Sequence, residues 1–202
     1  MTNNAQSVPL MLLLNASPRP AGRVARWLAA IESAARADGF CTETLRVADL
    51  SVQPCRGCMA CRQSGRCVLP ADDAQRTLAI LKEADALVVG TPCYWGNVPG
   101  QLKVLLDRMV YGMMGESRRA VPVPLMQGKR AAVVATCSTP WPFNRWFRQS
   151  SGAVRALREV FRWSGIRLVA TVERGGRQPA RPLSSREEAR CRRVVRKLHP
   201  HR

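Results

Sequence analysis

Apolar runs with strand character alternate with amphipathic, helix-like stretches along most of this 202-residue chain. Such an alternation is typical of a parallel sheet that is covered by helices on both faces. The five predicted strands are Val8–Asn15, Cys41–Val47, Ala86–Gly90, Arg130–Thr136 and Arg167–Glu173. We therefore expect a doubly wound α/β fold, and the length suits one domain, or one domain with a tail.

Apolar residues at helical spacing predict the helices between these strands. One helix spans about Arg23–Asp38, one is capped by Asp72 and ends near Glu83, and one spans Ser150–Ser164. A further helix follows Gly100, and its predicted inward stripe consists of Leu102, Leu105, Leu106, Met109 and Val110.

Two segments fall outside this alternation. The stretch Gly112–Gly128 holds several Gly and Pro residues and predicts a long excursion, which is a candidate oligomer contact. Residues 174–202 follow the main predicted domain, residues 1–173, as a basic linker, Arg174–Pro182, and a C-terminal amphipathic helix. The apolar stripe of that helix predicts docking on the body or on a partner subunit, and it consists of Cys191, Val194, Val195 and Leu198.

Charge, hydropathy and cysteine usage narrow the class of protein. No apolar run reaches membrane-spanning length, and Val8–Leu14 lacks the flanks of a signal peptide. Eight cysteines without an export signal favour a reducing compartment, so we expect a cytoplasmic protein with no membrane association. The formal net charge of +18 attracts anionic partners, from phosphate cofactors to nucleic acid.

The loop after the first predicted strand has the character of a phosphate site. It runs from Ala16 to the start of a helix, where free backbone N–H groups favour anions. Ser17 supplies a hydroxyl, Arg19 and Arg23 supply positive charge, and Gly22 permits close backbone approach. An ordinary strand-to-helix turn is the alternative interpretation.

The loop after the third predicted strand, Thr91–Gly100, places Tyr94 and Trp95 beside Gly96 and Asn97. Aromatic side chains in a loop usually need a flat or apolar surface to pack on. A flavin ring would provide one, and packing on the cysteine loop or on a partner subunit is the alternative.

The loop after the fourth predicted strand, Thr136–Asn144, offers hydroxyl groups to the same ligand. Its Trp141 and Phe143 are equally consistent with a hydrophobic plug that holds the loop on the core. Cys93 and Cys137 lie in these two loops, where we expect them to be buried small residues rather than reactive thiols.

Four cysteines, Cys55, Cys58, Cys61 and Cys67, lie within thirteen residues in a predicted loop, Ser51–Pro70. Their spacing is one that iron–sulfur clusters use, and a Cys₄ set also accepts zinc. Free thiols that pack as small apolar groups are the third possibility. The sequence leaves a cluster, zinc and bare thiols open.

Several of these segments resemble the flavodoxin-like NAD(P)H-dependent FMN reductases. The segments are Ser17-Pro18-Arg19, Asp72-Asp73, Thr91-Pro92-Cys93-Tyr94-Trp95-Gly96-Asn97, Gln101-Leu102-Lys103 and Leu106-Asp107-Arg108. Within that group, Cys55-x2-Cys58-x2-Cys61-x5-Cys67 resembles the cysteine motif of the iron–sulfur flavoproteins. The resemblance spans about Leu10 to Glu173.

The resemblance implies a three-layer sandwich whose five-stranded parallel sheet has the order 2-1-3-4-5, with FMN at the switch point. The implied phosphate site consists of Ser17, Arg19, Gly22, Arg23 and Val24. The ring would lie along Pro92, Cys93, Tyr94, Trp95, Gly96 and Asn97, and would be closed by Thr136, Ser138 and Thr139. The family usually has Asn and a hydroxyl residue where Arg23 and Val24 stand, so the charge of Arg23 would have to compensate.

The implied reaction is hydride transfer from NADH or NADPH to the flavin, then to a quinone, a nitro compound, free flavin or another small acceptor. No side chain is required as a catalytic acid or base. One alternative is an electron-transfer protein with a 4Fe–4S cluster and a redox-protein partner. Another is a basic nucleic-acid-binding module, which we favour least. We expect a homo-oligomer, a dimer or a tetramer.

Overall fold

The computed structural model describes residues 8–119, 121–176 and 181–199. Its strands are β1 (Leu10–Asn15), β2 (Cys41–Arg46), β3 (Ala86–Pro92), β4 (Met114–Glu116), β5 (Pro122–Pro124), β6 (Arg130–Thr136) and β7 (Arg167–Arg174). Its helices are α1 (Arg23–Ala37), α2 (Ala60–Ser64), α3 (Asp73–Glu83), α4 (Gly100–Met113), α5 (Phe143–Trp146), α6 (Ser151–Ser164) and α7 (Ser185–Leu198). Among the described residues, no helix combines the length and the apolar character needed to cross a membrane.

Five strands form one sheet in the order β2-β1-β3-β6-β7. Every pairing in this sheet is parallel. Among the described residues, the short strands β4 and β5 pair with each other alone, in antiparallel orientation. Counting the sheet strands alone, the order is 2-1-3-4-5, which confirms the predicted flavodoxin-like α/β fold.

Two apolar layers cover the sheet, one on each face. Leu12 and Leu14 of β1 belong to the layer built with α3, α4 and α6. Met11 and Leu13 belong to the layer built with α1 and α7. Because successive side chains of a strand point to opposite faces, a strand buried on both sides reads as an unbroken apolar run.

The C-terminal helix α7 packs on the body of the protein. Its predicted apolar stripe is buried in the same layer as α1, and it consists of Cys191, Val194, Val195 and Leu198. Ser184 and Glu187 form a capping box at its first turn. The predicted linker Arg174–Pro182 overlaps the end of β7, which extends to Arg174. Residues 177–180 of this linker lie outside the described residues. So do residues 1–7 of the predicted main domain and residues 200–202 of the predicted tail.

The α4 region differs from the sequence prediction in two ways. Val110 was placed on the inward stripe but is 38% exposed, because it lies about 100° around the helix from the buried Met109. The predicted excursion begins inside α4, where Gly112 packs so closely on Leu78 of α3 that an added Cβ would overlap it. The rest of the excursion contains the β4–β5 hairpin.

Candidate functional site

A cavity of about 1000 Å³ opens at the carboxyl ends of β1, β3 and β6. These strands are neighbours in the sheet, so the three predicted ligand loops start side by side. The predicted residues that line the cavity are Ser17, Arg19, Gly22, Arg23, Val24, Pro92, Cys93, Tyr94, Thr136 and Ser138. The position is the switch point of the sheet, and the volume suits a cofactor.

Local hydrogen bonds shape the loop after β1. The Ser17 N–H donates to the Asn15 side-chain oxygen at 3.0 Å, and the Arg19 N–H donates to the Ser17 hydroxyl oxygen at 3.2 Å. The Gly22 N–H donates to the Arg19 carbonyl at 3.1 Å. Asn15, which the sequence analysis does not single out, is buried and fixes this turn from the end of β1.

Helix α1 begins without a side-chain cap, because Gly22 occupies the N-cap position. The first-turn N–H groups of such a helix, together with its dipole, attract anions. A Cβ added at Gly22 would lie 3.0 Å from the Arg19 Cβ and 3.5 Å from the Ser17 hydroxyl oxygen. The missing side chain therefore lets this loop close tightly on Arg19, and the free N–H groups at the start of α1 beside it fit a phosphate group.

Arg23 lines the cavity, but its hydrogen bonds go elsewhere. Its guanidinium donates to the carbonyl oxygens of Arg174, Gly175 and Gly176 at 3.4, 3.3 and 2.6 Å. Burial, followed by the charge of Arg26, lowers the pKa of Arg23. Arg23 therefore brings its charge to the cavity, while its two terminal nitrogens hydrogen-bond to the end of β7 and the two residues after it.

The loop after β3 closes as a tight turn from Tyr94 to Asn97. The N–H group of each of these two residues donates to the carbonyl of the other at 2.9 Å. The central residues, Trp95 and Gly96, have φ values of +52° and +72°. Positive φ at both central positions is the signature of a type I′ turn. A Cβ at Gly152 would overlap the Gly96 carbonyl oxygen, so α6 packs directly against this turn.

The turn separates its two aromatic residues. Tyr94 lines the cavity, whereas Trp95 is fully exposed and is not part of the cavity wall. Gly96 and Asn97 shape the turn and also lie outside the wall. The structure therefore brings Pro92, Cys93 and Tyr94 to the candidate ring site and leaves the other three predicted residues of this loop outside it.

The loop after β6 is held by a buried polar chain rather than by an aromatic plug. The Asn144 amide donates to the Ser150 hydroxyl at 2.9 Å, and that hydroxyl donates to Glu173 at 2.6 Å. Trp141 and Phe143 are 75% and 44% exposed. Thr139 is outside the cavity wall, and its carbonyl accepts the Gly176 N–H at 2.7 Å.

Two free thiols, Cys93 and Cys137, line the cavity. Burial raises the pKa of both thiols above the ordinary value. They are therefore protonated at neutral pH, which fits the expectation that they act as small partly buried groups rather than as nucleophiles.

The cysteine loop is tied at its base by Arg108. This side chain is fully buried, and its guanidinium donates to the Gln53 carbonyl and to the Asp72 carboxylate at 2.7 Å each. A longer contact of 3.5 Å reaches the Pro70 carbonyl. Arg108 thus joins the two ends of the loop, although the sequence pattern marked it only as part of a resemblance.

The four clustered cysteines are free thiols, exposed or half-buried. Burial raises the pKa of Cys61, and the charges of Cys67 and Cys55 raise it further. Within residues 8–119, 121–176 and 181–199, no three Cys, His, Asp or Glu side chains are arranged to hold a metal ion. The four thiols that a cluster would need are present, but in the described residues they are not arranged as a metal site.

Residues 9–174 match the sequence model of the NADPH-dependent FMN reductases. The chain belongs to this family. The solved structure of an FMN-dependent NADH-azoreductase from Bacillus anthracis, in complex with FMN, superposes on this FMN reductase family member with a TM-score of 0.72. The two share 15% identity, and the match covers 94% of this chain and 99% of the other, so it supports the fold.

Curated relatives of this FMN reductase family member match over shorter segments. An iron–sulfur flavoprotein of Methanocaldococcus jannaschii is 38% identical over 95 residues, 47% of this chain and 49% of the relative. An FMN-dependent NADH:quinone oxidoreductase of Pseudomonas syringae pv. tomato is 32% identical over 96 residues, 47% of this chain and 46% of the relative. The chain thus spans about half the length of these curated relatives.

FMN is the cofactor that the family implies, and the cavity fits it. The tight loop at Gly22 and the uncapped start of α1 suit the phosphate. The ring would lie between the loops after β3 and β6, where Tyr94 and Ser138 line the cavity. The family hydroxyl is missing at Val24, and the hydrogen bonds of the neighbouring Arg23 run to the carbonyl oxygens of Arg174, Gly175 and Gly176.

Proposed function

We propose that this protein is an FMN-dependent oxidoreductase that takes a hydride from NADH or NADPH and passes electrons to a small acceptor. Quinones, nitro compounds and free flavin are the acceptor classes that we favour. The observation that carries the proposal is the cavity that joins the uncapped start of α1 to the loops after β3 and β6. The names of the azoreductase and quinone oxidoreductase relatives support it.

Bound FMN would supply the redox chemistry, and the residues of this chain would bind and orient it. Ser17, Gly22 and the first turn of α1 would hold the phosphate, with charge from Arg19 and Arg23. Pro92, Cys93 and Tyr94 of the loop after β3 would lie along the ring, while Trp95, Gly96 and Asn97 would form the turn beside it. Thr136 and Ser138 would close the opposite side, with Thr139 outside the cavity wall.

Absorption spectroscopy of the purified protein, followed by titration with FMN, tests this assignment. We expect stoichiometric FMN binding and bleaching of the flavin bands by NADH or NADPH. Gly22→Ala should weaken FMN binding by about tenfold, because its Cβ would press on the backbone and side chain of Arg19 and distort the phosphate loop. The matched control is Gly115→Ala, where the added Cβ makes only ordinary contacts of 3.6 Å or more. Protein that stays colourless in excess FMN would contradict the proposal.

An iron–sulfur electron-transfer protein is the second candidate. Four cysteines within thirteen residues and the iron–sulfur flavoprotein relatives favour it. The thiols of Cys55, Cys58, Cys61 and Cys67 would have to rearrange to share one 4Fe–4S cluster. Iron and acid-labile sulfide analysis after anaerobic purification tests this, with Cys41→Ser as a control for the loss of one exposed thiol. Iron absent from the anaerobic protein would contradict it.

We also propose a cytoplasmic homo-oligomer in which a second copy covers an aromatic patch. The patch consists of the exposed rings of Phe143, Trp146 and Phe147, and Trp95 and Trp141 are exposed in the loops after β3 and β6. The Phe143 ring lies 5.6 Å from that of Trp146 and 6.1 Å from that of Phe147, so these three rings form one cluster. Exposed apolar patches of this kind mark interaction sites. Light scattering should show a dimer or tetramer, which Trp146→Arg should weaken.

A further inference from the structure

The strand β7 forms one edge of the main sheet. It pairs with β6 on one side, and no other strand of the described residues joins it on the other. A cavity of about 820 Å³ lies along this edge. This β7 groove consists of residues 168–171 and the sides of α6 and α7 that face them. None of its lining residues lines the candidate FMN cavity, so the FMN site makes no use of it.

Backbone groups on the outer side of β7 are available for hydrogen bonding. The Arg174 carbonyl accepts the Cys137 N–H at 3.1 Å, so it faces the β6 side. Because the peptide groups of a strand alternate in direction, the Thr171 carbonyl faces outward, where it accepts the Arg190 guanidinium at 3.1 Å. Val169 is the extra residue of a bulge and has no partner in the register with β6. The strand therefore presents an edge that an extended chain can join.

Apolar side chains line the groove between two helical walls. The helices α6 and α7 cover opposite faces of the sheet, so they flank its edge on either side. Between them, Ile166 and Leu168 come from the β7 segment, Phe161 comes from α6 and Val194 comes from α7. Such a surface suits the main chain and the apolar side chains of an extended polypeptide.

Every charged side chain that lines the groove is cationic. Arg158 and Arg162 lie on α6, and Arg190, Arg193 and Lys197 lie on α7. Among the residues that the structure describes, no Asp or Glu lines the groove. Both walls therefore attract an anionic occupant.

Charge also decides which occupant fits. Pairing of β7 with the β7 of a second copy would bring two cationic grooves together, and cations along an edge strand prevent such pairing. The segments of this chain outside the described residues carry no Asp or Glu, so they do not complement the groove. A nucleic acid would find no exposed ring for its bases, because Phe161 is the groove's one aromatic residue in the described part of the chain and is 1% exposed.

We propose that the β7 groove binds an extended acidic segment of a partner protein, which joins the sheet as a sixth strand beside β7. Main-chain hydrogen bonds to β7 supply part of the affinity. Side chains of the added strand point alternately towards α6 and α7, so its carboxylates meet arginines on both walls.

Two peptides of equal charge test this proposal on the purified full chain. The first alternates Glu with Val over 8 residues, the length of β7. The second has the same side chains but a methyl group on every backbone nitrogen, so it cannot donate to a strand ladder. Fluorescence anisotropy should show that the first binds about tenfold more tightly. Equal affinities would show that charge alone attracts the peptide, and would overturn the proposal.

Hydrogen exchange locates the bound peptide. Exchange should slow at residues 168–171 when the unmethylated peptide binds, because their edge amides become paired or covered. The strand β2 forms the opposite edge of the sheet and is the internal control, where exchange should not change. Equal protection of both edges, or none at β7, would overturn the proposal.

Arg193 and Arg192 provide a matched pair of variants. They are exposed neighbours on α7, and only Arg193 lines the groove. Arg193→Gln should weaken binding of the unmethylated peptide by about fivefold, and Arg192→Gln should leave it unchanged. On the other wall, Arg162→Gln should weaken binding, whereas Arg155→Gln, which is exposed outside the groove, should not. Equal effects within each pair would assign binding to net charge and overturn the proposal.

Other occupants give different results. A thymidine oligonucleotide of equal charge that binds as tightly as the unmethylated peptide would assign the groove to nucleic acid and overturn the proposal. Failure of the peptide to bind at low salt, as expected if a second copy covers the edge, would also overturn it. FMN binding and flavin reduction should be normal in Arg193→Gln, because the groove and the FMN cavity share no lining residue. Failure of either proposal therefore leaves the other standing.

Discussion

The buried guanidinium of Arg108 lies 2.7 Å from the carboxylate of Asp72, at the base of the cysteine loop. That carboxylate also accepts the Ala74 N–H at 2.9 Å and so caps α3. The Gln53 N–H donates to it from the other end of the loop at 3.1 Å. One carboxylate therefore joins α4, α3 and the cysteine loop.

Removal of Arg108 should destabilise the protein strongly. Arg108→Ala removes a fully buried guanidinium and leaves the Asp72 carboxylate, whose side chain is 14% exposed, without its charged partner. Loss of one member of a buried pair typically costs about 3–5 kcal/mol. The matched control is Lys103→Ala, which breaks the exposed pair with Asp107 and should cost less than about 1 kcal/mol. Urea unfolding followed by circular dichroism measures both. Similar losses in the two variants would show that Arg108 is not the tie that holds this loop.

The same carboxylate predicts an acid-sensitive fold. Burial opposes ionisation of Asp72, but the N–H groups of Ala74 and Gln53 and the Arg108 guanidinium outweigh it and lower the pKa. A lowered folded-state pKa contributes stability that is complete above the ordinary carboxyl range, near about 4, and is lost as the pH falls below it. Burial likewise opposes ionisation of Glu187, where hydrogen bonds from Ser184 and Arg181 lower the pKa, so this group acts in the same direction.

Urea unfolding between neutral and acid pH tests this dependence. The free energy of unfolding should fall steeply below the ordinary carboxyl range in the wild type and less steeply in Asp72→Asn. Asp107→Asn changes a carboxylate in an exposed ion pair and is the control. Parallel acid profiles for the wild type and Asp72→Asn would assign the acid sensitivity to other groups.

The sheet and the location of the site were predictable, because buried parallel strands appear as apolar runs and their loops meet at one edge. The role of Arg108 was not, because an arginine within an amphipathic pattern resembles a solvent-facing residue. Its burial depends on Asp72, which is 36 positions away in the chain. The sequence predicts a loop at Gly112, whereas the structure places this residue in α4. The glycine is needed for close packing on Leu78 of α3, and a contact between two separate helices cannot be read from the local sequence.

The contact between α6 and the Tyr94–Asn97 turn should be sensitive to one methyl group. Gly152→Ala places a Cβ against the Gly96 carbonyl oxygen, and neither backbone can yield easily. We expect a loss of about 1–3 kcal/mol in the free energy of unfolding, together with weaker FMN binding. Gly100→Ala is the control, because an added Cβ there meets nothing within 4 Å and the residue is already helical. An unchanged Gly152→Ala would show that α6 does not constrain the turn.

The position of Trp95 differs from the one that the sequence predicts. The aromatic pair suggested that both rings pack along a flavin, but backbone geometry decides otherwise: Trp95 takes a positive φ in the type I′ turn and is fully exposed. A bulky L-residue in this conformation costs roughly 1–2 kcal/mol, and asparagine tolerates it better. Trp95→Asn should therefore raise the free energy of unfolding by up to about 1 kcal/mol and leave the FMN dissociation constant unchanged.

Tyr94→Ala, by contrast, should weaken FMN binding, since Tyr94 lines the cavity. Fluorescence titration with FMN distinguishes the two variants, and loss of affinity in Trp95→Asn would mean that the indole reaches the ring after all.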